Sequence, residues 1–200
     1  MSECSLTYHR RVTPRAPALA PDDRRAAIVA ATLPLVLAEG RAVTTRQIAE
    51  AAGVAEGTIF RVFATKDDVI DAVFEAALDM EPFIAALEAL PSPASLDEAV
   101  HWLAQAQLER FAQVFSLMTV LGIHGPPKHQ PRPEWIARLA AAQMEVLAPF
   151  AEELTLPPRE VVRYIRLLAF AGGNSHITDG ELLTAAGITT LVLDGSRKKG

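Results

Sequence analysis

Arginine, threonine and lysine side chains recur in residues 44–66 at spacings that suit contact with a nucleic acid. The guanidinium groups of Arg46 and Arg61 carry planar sets of N–H donors, which can pair with the O6 and N7 acceptors of guanine. The hydroxyl of Thr44 and the ammonium group of Lys66 suit phosphate oxygens instead. This segment therefore has the chemistry both to contact base edges and to hold a sugar-phosphate backbone.

Two short helical patterns with a tight corner between them would position these side chains. Apolar residues recur at helical spacing in residues 45–52 and 56–63, and Gly53 between them can adopt the positive φ that ends a helix. This is the pattern of a helix-turn-helix, whose second helix fits the major groove of DNA. An ordinary helical hairpin has the same spacing, so spacing alone leaves both interpretations open. We expect five apolar residues to form the core beneath the two helices: Ile48, Ala49, Val54, Ile59 and Phe63.

The charge of the chain favours a polyanion only near its N-terminus. The formal net charge is -5, but residues 1–66 hold nine Lys and Arg against six Asp and Glu, whereas residues 67–200 hold 10 against 18. Phosphate binding depends on local positive charge and not on the total. We therefore expect only the N-terminal region to meet a polyanion, although ordinary surface variation could produce the same split. Residues 1–21 combine basic side chains with three prolines and no helical period, which predicts a disordered basic arm.

The spacing of apolar residues elsewhere predicts an all-α protein. Such residues recur every three or four positions along most of the chain, and alternating strand patterns are scarce. A Ser or Thr followed three residues later by an acid or amide marks four helix starts, at Thr44, Thr65, Ser95 and Thr178. About nine helices are predicted, at residues 22–39, 45–52, 56–63, 66–80, 82–89, 96–124, 133–153, 158–174 and 179–194.

The segment TTRQIAEAAGVAEGTIFRVFATKDDVI, residues 44–70, resembles the DNA-binding region of the tetracycline-repressor (TetR) family. The shared run is A-G-V-x-x-G-T-x-F-x-x-F-x-x-K, and the likeness extends back through the preceding helix to include Gly40. The resemblance implies an all-α chain with an N-terminal three-helix helix-turn-helix domain and a larger helical domain for ligand binding and dimerisation. We accordingly divide the chain into an arm at 1–21, a DNA-binding domain at 22–66 and an effector-binding and dimerisation domain at 67–200.

The function that the resemblance implies is that of a DNA-binding transcriptional regulator. We expect a homodimeric repressor on double-stranded operator DNA, released by a small, largely apolar effector of unknown identity. The main alternative is a helical protein-interaction module without specific DNA binding. The residues expected at the DNA are Thr44, Thr45, Arg46, Glu56, Gly57, Thr58, Phe60, Arg61 and Lys66.

Two positions of this chain differ from the usual pattern of the family. Ala55 stands where the family often has serine before the recognition helix, so that helix loses a side-chain cap worth about 1 kcal/mol. Phe60 stands where tyrosine is common, which removes a hydroxyl that would touch a phosphate. Its ring can still pack against a sugar or a thymine methyl group.

The remainder of the chain has bulky apolar side chains around its predicted helices, with a few polar ones among them. Ordinary helix packing explains most of these residues, but the same mixture suits the wall of a ligand cavity. The effector-contact candidates are His101, Trp102, Phe115, Met118, His124, Trp135 and Asn174. His124 and His129 flank a turn at a spacing that could chelate a metal ion, but no Cys or carboxylate is adjacent, and we predict no metal site and no cofactor.

Apolar stripes on the last two predicted helices indicate the dimer contact, because they carry more apolar surface than one subunit's core is expected to absorb. The stripe residues are Val161, Val162, Ile165, Leu168 and Ala169, followed by Leu182, Leu183, Ala186, Leu191 and Val192.

Catalytic and targeting signals are lacking in the sequence. It contains no phosphate-binding glycine loop, nucleophile elbow or paired carboxylates on one helical face, so we expect no enzyme activity. No apolar run is long enough to span a bilayer, and no secretory signal is recognisable. With Cys4 as its single cysteine, the chain is expected to be cytoplasmic and independent of membranes.

Overall fold

The computed structural model describes residues 20–125 and 133–197, and this part of the chain consists of helices and turns with one isolated β-bridge. The predicted all-α fold class is confirmed. Residues 1–19 of the predicted arm, and His129, lie outside the described residues. The helices are α1 (Pro21–Glu39), α2 (Thr45–Ala51), α3 (Glu56–Val62), α4 (Lys66–Leu78), α5 (Glu81–Glu88), α6 (Leu96–Leu121), α7 (Pro133–Leu147), α8 (Pro158–Gly172) and α9 (Ala185–Ser196), with 3-10 turns at Gly40–Ala42 and Ala148–Glu153.

Three of the four predicted helix starts are confirmed by side-chain caps. The hydroxyl of Thr44 accepts from the backbone N–H of Gln47, whose side-chain oxygen accepts in return from the backbone N–H of Thr44. Thr65 forms the same reciprocal box with its own third residue, Asp68. Ser95 accepts from the backbone N–H of the residue three positions later. These caps satisfy backbone donors that the first turn of a helix leaves unpaired.

The fourth predicted start, at Thr178, is wrong. The hydroxyl of Thr178 donates to the carbonyl of Asn174, and the next two residues, Asp179 and Gly180, have φ values of 50° and 90°. Two consecutive positive φ values turn the chain and cannot continue a right-handed helix. Helix α9 begins only at Ala185, where the hydroxyl of Thr184 accepts from a backbone N–H three residues on.

Two other predicted helices end earlier than expected. Helix α6 stops at Leu121, because Gly122 takes a left-handed conformation with φ 64° and its N–H bonds back to the last turn. The predicted helix at 133–153 is α7 followed by the 3-10 turn Ala148–Glu153. Pro149 lies in the first turn of that 3-10 segment and lacks the N–H that a continuing α-helix would need.

Buried apolar side chains form two clusters, and α6 contributes to both. One cluster joins α1 to α4, which we call the head; the other joins α5 to α9, which we call the body. Leu117 and Leu121, near the end of α6, belong to the head cluster, whereas Val100 and Leu103 near its start belong to the body cluster. The head cluster continues through Val73, and the division of the chain at residue 66 stays a prediction.

Gly40 brings the turn after α1 directly against α6. Its φ is 60°, and a Cβ at this position would lie 2.9 Å from the backbone oxygen of Val120. A side chain would therefore be strained and would also collide with the α6 backbone. This close approach, together with Leu117 and Leu121, packs the head onto the far end of the longest helix of the body.

Candidate nucleic-acid interface and effector cavity

Helices α2 and α3 form the tight corner expected of a helix-turn-helix. Gly53 has φ 65°, its N–H donates to the carbonyl of Glu50, and the N–H of Val54 donates to that of Ala49. Ile48 and Ile59 are fully buried beneath the pair. The predicted core is confirmed, since Ala49 and Phe63 are buried as well and Val54 packs half-buried against the same cluster.

The face of α3 opposite the buried Ile59 is exposed to solvent and carries an aromatic ring beside charged side chains. Phe60 is 53% exposed, and Glu56 and Arg61 are exposed on the same helix. The Nη2 of Arg61 donates to the hydroxyl of the half-buried Thr58 over 3.0 Å. A Cβ at Gly57 would meet no atom within 4 Å, so another molecule can approach the backbone there. A large exposed aromatic ring beside an arginine is typical of a contact surface.

Thr45 and Glu56 tie the two helices together across this face. The hydroxyl of Thr45 donates to the Glu56 carboxylate, which lies in the first turn of α3. A negative charge at that end suits the helix dipole. Both residues were predicted at the DNA, and the structure brings them into contact with each other. Ala55, which precedes α3, makes no side-chain cap, as expected.

Arg46 and Lys66 differ in their surroundings. Arg46 is exposed on α2, and within residues 20–125 and 133–197 its side chain has no hydrogen bond or ion pair. The ammonium group of Lys66 instead donates to the backbone oxygen of Arg41 over 2.7 Å. Arg41 in turn pairs with Asp67 and Asp71 at 3.2 Å and 3.7 Å. None of the described residues therefore occupies the donors of Arg46, whereas Lys66 is anchored to the turn after α1.

Two side-chain contacts that hold the helices of the head together were not predicted from the sequence. The side-chain amide of Gln47 donates to both carboxylate oxygens of Glu39 at 2.8 Å and 2.9 Å, which links α2 to the end of α1. The guanidinium of Arg25 lies 4.3 Å from the ring centroid of Phe63, at cation–π distance. The first contact joins residues eight positions apart and the second joins α1 to the end of α3, so neither falls at the three- or four-residue spacing of one helix face. The only local signal was the capping pattern at Thr44.

A cavity of about 2810 Å³ lies among α1 and α4 to α8. Pockets for small ligands usually measure roughly 300 to 1,000 Å³. The space here is larger than that, so it is a broad, open cavity with room for a ligand and water. Trp135 is not part of its wall. Six of the seven predicted effector-contact residues line it: His101, Trp102, Phe115, Met118, His124 and Asn174.

Three phenylalanines form an aromatic cluster on this wall. Phe115 was predicted from the sequence as an effector contact, but Phe111 and Phe170 were not. The ring centroid of Phe170 lies 5.3 Å from those of Phe111 and Phe115, with edge-to-face geometry in both cases. The Phe111 and Phe115 rings are stacked at 5.9 Å. Phe111 and Phe115 are four residues apart on α6, but Phe170 comes from α8, so helical spacing could not reveal the complete cluster.

The wall also carries a partly buried arginine. Nη1 of Arg110 donates to the backbone oxygen of Ala77, and its guanidinium lies 6.0 Å from the ring centroid of Phe83. Burial lowers the pKa of Arg110, and the nearby charge of Asp79 opposes this effect. The group stays cationic at neutral pH, because an arginine pKa remains far above it.

Within the described residues, no three His, Cys, Asp or Glu side chains gather in a way that could hold a metal ion. None of the helices described combines the length and apolar character that a membrane span requires.

Comparison with known proteins identifies the head. Residues 28–73 match the family model of bacterial regulatory proteins of the tetR family. The chain has the fold of a TetR-family regulator. The family resemblance drawn from residues 44–70 is thereby confirmed.

Solved structures with this TetR-family fold cover most of the chain. A Mesorhizobium loti protein described as a TetR-family regulator is 14% identical, with a TM-score of 0.55 over 90% of this chain and 100% of its own. A structure concerning control of antibiotic production by a bacterial hormone is 20% identical, with a TM-score of 0.54 over 88% and 98%. A TetR regulator from Streptomyces coelicolor is 20% identical, with a TM-score of 0.51 over 88% and 99%. At such identities the likeness concerns the fold alone.

The boundaries of the TetR-family match coincide with the packing of the head. Its first and last residues, Ile28 and Val73, are both buried in the head cluster. The family pattern therefore covers all the buried apolar residues that α1 to α4 contribute to this core, whereas the partly buried Phe74 and Ala77 of α4 lie beyond it.

The predicted dimer stripe of α8 faces inward and was wrong as an outer surface. Four of its residues are buried in the body cluster of their own chain, and Leu168 packs half-buried against it. Helix α8 packs against α6 and α9, and this packing buries the apolar stripe. In α9, Val192 is likewise buried, whereas Leu191 is 58% exposed. On the outer side of α8 and α9, the exposed residues Tyr164, Leu167 and Leu191 line one shallow depression.

Proposed function

We propose that this chain is a transcriptional regulator that binds double-stranded operator DNA through α2 and α3. The observation that carries the proposal is the exposed face of the helix-turn-helix. There Arg46 has no partner among the residues that the structure describes, and Phe60 and Arg61 are exposed on α3. A helix of this size fits the major groove, where arginine pairs with guanine.

The side chains of the interface have different roles in this proposal. Arg46 and Arg61 contact base edges, and Phe60 packs against a sugar or a thymine methyl group. Thr44 and Lys66 contact phosphates, which position the head but carry no sequence information. Lys66 can do so without leaving the Arg41 carbonyl, because an ammonium group has three donors.

The regulator acts as a homodimer through the outward face of α8 and α9. Tyr164, Leu167 and Leu191 are each between 45% and 58% exposed, and two copies of this face would cover one another about a two-fold axis. A dimer of this kind can present two α3 helices about 34 Å apart, one turn of DNA.

We infer that the regulator is a repressor and that a small, largely apolar effector releases it from its operator by binding in the cavity. Helix α6 provides the physical connection, since it lines the cavity and its Leu117 and Leu121 belong to the head cluster. A ligand that prefers an arrangement of α6 incompatible with DNA binding shifts the equilibrium by its differential affinity for the two states. The close approach of Gly40 to Val120 transmits a displacement of α6 to the head.

Titration of purified protein against DNA fragments flanking its own coding region tests the proposal. Specific binding that weakens steeply with added salt supports the regulator. An absence of salt-dependent binding on every fragment would instead favour the helical protein-interaction module. Arg138→Ala is the matched control for arginine variants of the head, because Arg138 lies in the body and pairs with Glu81 and Glu88.

A further inference from the structure

Gln107 and Arg110 present polar groups one helical turn apart on the cavity wall. They lie three residues apart on α6, so their side chains leave the same side of the helix. Gln107 is only 3% exposed, and within the described part of the chain its amide nitrogen has no hydrogen-bond partner. A buried donor without a partner is costly, and such groups in folded proteins are uncommon unless they serve a ligand or water.

Arg110 has donors to spare beside this amide. One of its five N–H groups is used by the backbone oxygen of Ala77. The described residues provide it with no ion pair, and Asp79 acts on it only through its charge at longer range. A partly buried guanidinium without a carboxylate partner favours an anion that can enter the cavity.

The cavity wall has a positive net charge, whereas the body as a whole has a negative one. Two acids line the cavity, Asp79 and Glu109, and the second already accepts a hydrogen bond from Gln105 at 2.6 Å. Residues 67–200 as a whole hold 10 basic and 18 acidic side chains. A positive wall in a negative body concentrates anions at the cavity. Four arginines line it, Arg110, Arg159, Arg163 and Arg166, of which Arg159 and Arg163 pair with Glu160 at 3.8 Å and 3.4 Å.

The aromatic cluster adjoins these polar groups through α6. Phe111 lies four residues after Gln107, on the same side of α6, and its ring contacts those of Phe115 and Phe170. Phe170 is 45% exposed, so apolar ring surface remains available at the wall. Covering this surface with a ligand's apolar part is favourable.

We propose that the effector is an organic acid, with its carboxylate held by Arg110 and Gln107 and its apolar part against the phenylalanine cluster. This inference rests on the proposed effector control and names the chemical class of the ligand. A carboxylate has two acceptor oxygens, so one can accept from the guanidinium of Arg110 and the other from the amide of Gln107. The amide nitrogen is closed to solvent in this structure, so the Gln107 side chain must turn toward the cavity when the acid binds. The apolar remainder agrees with the largely apolar wall.

Matched acids and amides test the inference directly. We would measure binding of 4-phenylbutanoate, decanoate and their primary amides by calorimetry and thermal shift, and release of operator DNA by each compound. Both acids should bind and release DNA, and each amide should bind at least about tenfold more weakly, since it lacks the charge that strengthens the hydrogen bonds.

Variants then locate the carboxylate. Arg110→Met should abolish the preference for acid over amide, and Gln107→Met should reduce it. Arg138→Met, which removes an exposed arginine outside the cavity wall, should leave the preference unchanged. If Arg110→Met does not fold, Arg110→Lys serves in its place and should weaken acid binding because it loses the planar fork.

The outcomes separate the inference from the function on which it rests. Amides that bind as well as acids, or acids that neither bind nor release DNA, would overturn the organic-acid inference while leaving operator binding to stand on its own titration. Acid binding that depends on Arg110 in a protein without operator affinity would support the ligand assignment and remove the regulator function.

Discussion

The arginines proposed to contact DNA in the head are exposed, whereas the arginine proposed to hold a ligand in the body is partly buried. In the head, Arg46 and Arg61 lie on the exposed surface of two short helices, within one continuous stretch of sequence. In the body, Arg110 lies partly buried in a groove whose walls come from several distant helices. A surface that meets DNA needs accessible donors, whereas a cavity gains from donors that are shielded from water, because electrostatic interactions strengthen there.

The largest effect should come from a residue that belongs to both regions. Leu117 is fully buried, lies on α6 and packs in the head cluster. Leu117→Ala should lower the free energy of unfolding by about 2 to 5 kcal/mol through lost burial and a residual cavity. Thermal and denaturant unfolding measure this change, with Ile177→Ala, at a residue 55% exposed, as a control of small effect. A loss as small as the control's would mean that the head does not depend on α6.

The outer face of the body provides the next test. Leu167 is 46% exposed on α8, so Leu167→Glu should leave the fold intact but place a charge in the proposed dimer contact. We expect the dimerisation free energy to weaken by about 2 to 4 kcal/mol, as at an interface hot spot. Sedimentation velocity at micromolar concentration would detect the monomer. A variant that stays fully dimeric there would exclude this face as the interface.

Arg46 distinguishes base contact from general attraction in the head. Arg46→Ala should cost about 1 to 3 kcal/mol of operator affinity and relax the preference at a few base pairs. Lys66→Ala should weaken binding to all sequences alike and reduce the salt slope by about one. Fluorescence anisotropy with operator and scrambled DNA compares the two variants. Equal loss on every sequence for Arg46→Ala would rule out its contact with bases.

The smallest expected effect is a gain in stability. Ala55 occupies the N-cap of α3 with extended backbone angles and no side-chain cap. Ala55→Ser supplies a hydroxyl that can accept from the first turn, which should stabilise the protein by about 0.5 to 1 kcal/mol. Thermal unfolding of the variant measures the gain, and Ala55→Val, which adds volume without an acceptor, should show none.

Local chemistry explains why the head was predictable. Thr44 and Thr65 begin helices through contacts with residues three positions away, and Gly53 turns the chain by its own backbone freedom. Such signals need no knowledge of the rest of the fold. Thr178 and Thr184 show the limit of this reasoning. Both are threonines in the same stretch, but the left-handed residues Asp179 and Gly180 place the helix start after the second one.

The sequence by itself determined the helical class, the helix-turn-helix and most of its buried residues, because these depend on periodicity and on contacts within a few positions. Tertiary structure alone decided which stripe of α8 faces the core, since Val161 and Ile165 are as apolar as Leu167 but meet α6 and α9. It also decided that Gln107 and Arg110 share a wall with Phe170, because a cavity is formed by helices whose separation in sequence carries no information about their distance in space.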